Sequence, residues 1–313
     1  MKKIKHYFYV PFVGLGNYNG FRGNRWFKNR INIFKQFVVP SLQVQTNQHF
    51  TLWVSFTEKQ KHDMLVDELD LFLTEKGIKH VFTYSGICFY DDKIPLGEAK
   101  IRLMENLHNT MGELFEDIGD VDEVLMTIQP SDDCFYEGAV EEIQRELKGE
   151  LEAVGYKNGY IMNYLTLDIS DYDCNTNPPF YTIKFDKDIF IDPMEHCEYT
   201  SLKRAVPGYD IGTPLPSHEW VKDCLNYKQI DKRGFLVGTH TENISTYYDH
   251  PFKGDQVDYS IGFDFGLATC LPLKLKVSWR KKMLGKLSFD TQKKIRYITG
   301  EVIWQKIYGF LRN

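Results

Sequence analysis

EVLMTIQPSDDCFYEG, residues 123–138, is the stretch that decides the fold. Glu123 to Ile128 form an apolar run of strand length, Pro130 ends it, and two adjacent carboxylates, Asp132 and Asp133, follow. Beyond them Phe135 to Leu147 has helical character, so the expected order is strand, acidic turn, helix. Ahead of the run, Ile101, Met104, Leu107, Met111, Leu114, Phe115 and Ile118 repeat at helical spacing and predict a long helix that feeds this strand.

The same alternation recurs further out. Tyr7 to Val13 predicts a first strand running into Gly14-Leu15-Gly16. A dinucleotide-binding fingerprint would need a third glycine at position 19, which is Asn19, so these glycines predict a plain turn. Ile33, Phe34, Phe37, Val38 and Leu42 predict a helix interrupted by Pro40, and Phe50 to Phe56 a buried strand. Helices alternating with strands predict an α/β domain built on a mostly parallel, Rossmann-like sheet flanked by helices. Gly159 to Leu165, Phe180 to Phe185 and Arg233 to Thr239 predict shorter strands of an acceptor-facing layer. Ligands of such sheets bind outside the carboxyl ends of the strands, where loops converge and helix amino termini point. Asp132 and Asp133 lie at such an end.

Composition narrows the class. With 42% hydrophobic and 26% charged residues, the 313-residue chain has the makeup of a globular protein with a sizeable core, and disorder and collagen-like repeats are excluded. No apolar run is long enough to span a membrane and the start lacks a secretory cleavage pattern, so a cytoplasmic protein is expected. The six cysteines, Cys88, Cys134, Cys174, Cys197, Cys224 and Cys270, form no CxxC pair and are expected to be free. Asp168, Asp171 and Asp173 lack the glycine and closing glutamate of a calcium loop and predict a solvated acidic loop.

Two jobs compete for Asp132 and Asp133. On residue type alone, capping the helix that follows is favoured. Paired carboxylates also suit Mg²⁺ or Mn²⁺, which take oxygen ligands and bridge to nucleotide phosphates. The stretch NRINIFKQFVVPSLQVQTNQHFTLWVSF, residues 29–56, bears on this choice. Its Arg30, Phe34, Pro40-Ser41-Leu42, Gln45-Thr46 and Phe50 to Trp53 resemble the signature of a GT-A fold glycosyltransferase family named for rhamnosyl transfer. That family carries an Arg-x-Asp-x-Asp-Asp cluster before a helix. MTIQPSDD stands in its place, with Ile128 and Pro130 where the family has Arg and its first Asp. A third likeness lies after Trp220, where His240, Asn243 and Ser245 match a His-x-x-Asn-x-Ser element, so the resemblance covers residues 5 to 250.

The resemblance implies a GT-A-like domain over residues 1–270 and a sugar taken from a nucleotide-sugar donor to a glycan hydroxyl, with inversion. It implies a metal, Mg²⁺ or Mn²⁺, held by Asp132, Asp133 and His240 and neutralising the leaving diphosphate. Arg22, Arg25 and Arg30 offer guanidinium groups that pair with phosphate bidentately, although a solvated basic loop accounts equally well for the first two. Asn243 can hold a sugar hydroxyl or an Asx turn. The acceptor needs a base, for which Glu219 is the first candidate and Asp223 the second; Ser217 capping a helix that favours Glu in its first turn is the plain alternative.

Residues 271–313 stand apart electrostatically. From Lys274 onward eleven Lys or Arg face two acidic residues, so this tail carries +9 of a net −5 and the rest −14. Helices packed on the main domain with a basic outer face are the first expectation for it. Peripheral contact with an anionic membrane, suiting a lipid-linked glycan acceptor, ranks second, and a nucleic-acid arm last. Against the transferase stand a non-catalytic glycan- or nucleotide-binding protein on the same scaffold and a nucleotidyltransferase releasing pyrophosphate.

Overall fold

The computed structural model describes residues 2–12, 23–85, 96–174, 180–196, 221–240, 243, 254–274, 289–299, 303 and 307. The first strand, β1 (Ile4–Pro11), alternates its side chains between two apolar layers. Phe8, Val10 and Phe12 enter one layer, Tyr7 and Tyr9 the other. Next come α1 (Gly23–Ile33), a π-helical turn at Phe34–Val38, α2 (Val39–Gln43) and β2 (Thr51–Ser55). These are followed by α3 (Met64–Glu75), β3 (His80–Thr83), α4 (Leu96–Ile118) and β4 (Glu123–Ile128). Every residue of β4 is buried, as its unbroken apolar run requires.

β3, β2, β1 and β4 lie side by side in that order and all parallel. The chain therefore steps outward from β1 through β2 to β3 and then returns to β1's other edge, making a topological switch point between β1 and β4. The second half departs from the mostly parallel sheet expected. It adds β5 (Cys134–Phe135), α5 (Ala139–Glu146), β6 (Ala153–Asn163), β7 (Ile169–Asp173), β8 (Tyr181–Asp186), α6 (Lys187–Ile191), β9 (Tyr227–Thr239) and β10 (Gln256–Val257). β8 runs antiparallel to β4 and β6, and β7 antiparallel to β6 and β10. β9 runs parallel to β6 and antiparallel to β5. The sheet is mixed because β6 and β7 are joined by a short turn, which only antiparallel neighbours permit.

The strands β6 and β9 are long, 11 and 13 residues, where short ones were expected. The helix expected from Phe135 begins at Ala139 with Gly138 before it, because Cys134 and Phe135 pair with Leu236 and Phe235 of β9 first. Helix α4 keeps Leu107, Met111, Leu114 and Ile118 inside but leaves Ile101 and Phe115 exposed, since its buried stripe is narrower than the apolar positions in the sequence. The expected acidic loop is in part strand β7, whose Asp171 and Asp173 pair with Arg233 at 3.6 and 2.7 Å. Packing continues past residue 270 to the buried Leu273, whose N–H donates to the Tyr164 carbonyl. A helix, Phe289–Thr299, forms within the basic tail.

Pro40 does not end its helix. It lacks an N–H, so the Gln36 carbonyl one turn back loses its usual donor, and the π-helical turn widens the chain just ahead of it. A thiol takes up the freed acceptor, Cys270 Sγ donating to Gln36 O at 3.2 Å, and Cys134 Sγ donates to the neighbouring Phe37 O at 3.4 Å. Cys134 and Cys270 are free thiols, as expected. Gly266, with φ 73°, sits against the Pro40 carbonyl, where an added Cβ would come within 2.5 Å.

One buried histidine ties the layers. The Gln144 amide donates to His6 Nδ1 at 3.1 Å, so the neutral ring carries its proton on Nε2 and donates to Thr127 Oγ1 at 2.7 Å. Thr127 in turn lies 2.6 Å from Thr182 Oγ1. Burial holds the His6 imidazole down at about 3, below its ordinary 6.5. The folded protein binds fewer protons here than the unfolded chain, so this contribution is full above pH 6.5 and is lost as pH falls towards 3. Lowering the pH from 7 to 5 is expected to remove on the order of 2 kcal/mol through His6. Denaturant titrations across that range should show the loss, and His6→Gln, which keeps an N–H for Thr127, should show a flatter dependence.

Candidate functional site

The turn after β4 sits at the switch point. Gln129 N donates to the Tyr9 carbonyl of β1 at 2.9 Å, and its side-chain amide donates to the carbonyls of Pro130 (2.9 Å) and Asp133 (2.7 Å). Residues 129–133 are thereby held as one rigid turn at the carboxyl ends of β1 and β4. Neither carboxylate caps α5, which starts six residues after Asp133, so the capping role favoured by residue type is overturned.

Asp132 is the meeting point. Its Oδ2 forms an ion pair with Arg30 Nη1, lies 3.0 Å from His240 Nε2 and accepts from Asn243 Nδ2 at 3.3 Å. Arg30 is 1% exposed and comes from the last turn of α1. Trp26, one turn earlier, places its ring 4.9 Å from the guanidinium carbon. His240 follows the last residue of β9, and its own N–H donates to Asn243 Oδ1 at 2.9 Å. Asn243 also donates to the Gly238 carbonyl at 2.7 Å, which locks the segment after β9 onto the site. Three distant parts of the chain thus converge on one carboxylate oxygen.

The two carboxyl groups differ in state. Burial alone would raise the Asp132 pKa, but the charges of Arg30 and His240 and their hydrogen bonds outweigh it and hold the group well below the usual carboxylate range. Asp133 is also buried, and desolvation together with the Asp132 charge pushes it well above that range. Asp133 Oδ1 accepts from the Gly238 N–H at 2.9 Å. The pair therefore favours the proton on Asp133 and the charge on Asp132.

Other residues complete the setting without a motif to announce them. Tyr164, fully buried, donates its hydroxyl to the Asp132 carbonyl at 2.9 Å and stacks on Phe37 at 3.7 Å and 9°. The His240 ring lies nearly parallel to it at 6.4 Å. Gly238 approaches so closely that an added Cβ would fall 2.2 Å from the Asp132 carbonyl oxygen and 2.3 Å from the Tyr164 ring. A single tyrosine and a single glycine inside apolar runs give no sequence signal of this kind.

The remaining expected residues lie elsewhere. Arg25 is on α1, half-buried, one turn ahead of Asn29. Asp223 is exposed on a helical turn, Val221–Cys224, whose Val221 packs in the layer on the opposite face of the sheet from Trp26 and Phe37. Arg22 and Glu219 lie outside the described residues.

The donor set does not fit a divalent cation as it stands. Asp132 Oδ2 already faces a guanidinium, an imidazole and an amide, and Asp133 turns its Oδ1 to a backbone N–H. Among the described residues no group of three or more His, Cys, Asp or Glu side chains has the spacing of a metal site. Arg30, expected to face a phosphate, instead faces Asp132.

No family model matches the chain, that of the glycosyltransferase family resembled by residues 29–56 included, and no curated protein matches it. Among solved structures, a protein from Bacillus anthracis named as a glucose-1-phosphate thymidylyltransferase, in complex with sucrose, is similar over 75% of this chain and 89% of its own. The identity is 10% and the TM-score 0.33. Similarity of that depth assigns neither a family nor an activity.

Two substitutions probe the turn. Asp133→Asn keeps the acceptor for Gly238 and removes the charge beside Asp132. A carboxyl whose folded pKa is raised costs stability progressively as pH climbs past its unfolded value near 4, so the variant should gain least on the parent at about pH 4 and more at pH 8, read as a Tm advantage that widens with pH. Gly238→Ala, by contrast, should cost about 1–3 kcal/mol at any pH, because backbone and a stacked ring must move to admit the methyl group. Scanning calorimetry at both pH values reads both.

Proposed function

We propose that the protein is a glycosyltransferase of the GT-A type. It takes a sugar from a nucleotide-sugar donor to the hydroxyl of a glycan, free or lipid-linked, with inversion at the anomeric carbon; rhamnose is the first sugar to test. The observation that carries this reading is the convergence of Arg30, Asp132, His240 and Asn243 on one carboxylate oxygen at the β1/β4 switch point. These four come from the three separate stretches in which the sequence resembles that class of enzyme, and a switch point is where open α/β sheets bind ligands. Fold alone would not support the reading, since one fold hosts many activities.

The transfer breaks the bond between the anomeric carbon and the diphosphate oxygen and forms one to the acceptor oxygen. Negative charge then develops on the leaving diphosphate, and a fixed guanidinium such as Arg30 favours it without reorganising. The acceptor proton goes to a carboxylate, for which Glu219 is the candidate. His240, gripped by Asp132, keeps a set orientation beside the site, and Asn243 offers a neutral donor to a sugar hydroxyl. No helix among the described residues is long and apolar enough to cross a membrane. The basic tail belongs to the same proposal as a peripheral contact that would bring the enzyme to a lipid-linked acceptor.

Incubating the protein with a panel of nucleotide sugars and candidate acceptors tests the reading through the products. Release of nucleoside diphosphate with a new glycoside is expected, and Asp132→Asn should lower that turnover by about 100-fold or more while the protein stays folded. Pyrophosphate as the product would replace the reading with nucleotidyl transfer. Tight binding of a nucleotide sugar or glycan without turnover would replace it with a non-catalytic binding role.

A further inference from the structure

The disagreement between the carboxylate turn and a divalent cation has its own content. A metal on Asp132 would sit about 2.0–2.2 Å from a carboxylate oxygen and would need that oxygen free of competing cations. Asp132 Oδ2 faces the Arg30 guanidinium instead, and Arg30 cannot withdraw easily. It is 1% exposed, it lies against Trp26, and its helix is anchored by Ile31, Ile33 and Phe34, all buried. Guanidinium does not deprotonate in a protein, so the positive charge is permanent.

Arg30 also carries an unmet need. Its Nε and Nη1 are buried, and among the described residues Nε has no partner at all while Nη1 meets Asp132 as an ion pair without hydrogen-bond geometry. A buried N–H without an acceptor costs free energy that a native structure recovers by pairing with water or a ligand. Guanidinium is suited to grip two anions at once, one through each edge of its planar fork. With one edge spent on Asp132, the other is left for an oxyanion arriving at the switch point.

We propose that Arg30 is the resident cation of this site: it stands where a metal would stand, bridges Asp132 to a diphosphate oxygen of the ligand, and makes binding independent of divalent metal. This deepens the transferase reading and rests on it for the identity of the diphosphate. Asp132 is then a positioning residue, which aims the guanidinium and balances its charge while the site is empty of ligand.

Binding to the full chain tests this without recourse to turnover, using UDP, dTDP, GDP and inorganic pyrophosphate as probes in isothermal titration calorimetry. Each probe is titrated once in EDTA and once with 1 mM Mn²⁺ or Mg²⁺. The expected result is saturable binding of one nucleoside diphosphate in EDTA, with a Kd that changes less than about twofold on adding metal. Arg30→Lys, which keeps the charge but loses the fork, should weaken that binding about tenfold or more, its melting temperature reporting that it remains folded. Asp132→Asn, whose amide oxygen still accepts from the guanidinium, should weaken binding in EDTA by less than Arg30→Lys does, whereas at a metal site it would abolish metal-dependent binding. Pyrophosphate bound as tightly as the nucleotide would support the Arg30 contact and assign it to diphosphate alone. Binding that appears only with Mn²⁺ or Mg²⁺, or saturable binding of Mn²⁺ by itself that Asp132→Asn removes, would overturn the inference and leave the transferase reading standing. Failure of every probe under both conditions would overturn the two together.

Discussion

A buried carboxylate answered by a buried guanidinium is the constraint around which this protein is arranged. Asp132 and Arg30 stand 102 positions apart in the chain, and neither charge could stay in its place without the other, because an unpaired ion in such a setting costs several kcal/mol. The pairing fixes the last turn of α1 over the end of β4, and His240 and Asn243 fasten the end of β9 to the same oxygen. The Asp132 charge and burial both favour the protonated form of Asp133, which eases the crowding of two neighbouring carboxyl groups. Charge balance at this turn and the geometry of three loops are therefore one problem with one solution.

The sheet explains why that solution lies where it does. Four parallel strands in the order β3-β2-β1-β4 put a switch point beside β1, and the turn after β4 lies at it. The antiparallel half then returns β9 to that turn: β9 pairs with β5 directly after Asp133 and with β6 along its length, ending at Thr239 and His240. Gly238 packs directly against the Asp132 carbonyl and the Tyr164 ring, which is why any side chain there would force both to move.

The layer beneath the site shows the same economy. Pro40 leaves the Gln36 carbonyl without its usual donor and the Cys270 thiol reaches it, while the Cys134 thiol reaches the neighbouring Phe37 carbonyl. Cys134 follows Asp133 directly and Cys270 lies near the end of the packed body, so two cysteines with no redox partner join the Phe37 helix to the acidic turn and to the C-terminal segment. Tyr164 stacks on Phe37 and reaches the Asp132 carbonyl, so the helix, the turn and β9 share one aromatic wall.

Much of this was legible in the chain itself. The unbroken apolar runs of β2 and β4, the helical stripes of Ile33 to Leu42 and of α4, and the position of Asp132 and Asp133 past a strand end all follow from local periodicity and a proline stop. Arg30, Asp132, His240 and Asn243 could be singled out because they stand in motif-like stretches at strand and helix ends. Their roles toward one another could not, since a sequence does not state which distant charges become neighbours once water is excluded. The mixed sheet, the short strand at Cys134 and the long β6 and β9 escaped for a related reason: strand direction and pairing are settled by tertiary contacts, while propensity reports only that a strand forms. What the amino-acid order determined alone was the set of elements and the charged groups at their ends. The tertiary structure decided that Arg30 faces Asp132, because only the packed fold brings the last turn of α1 over the switch point and makes solitude too costly for either charge.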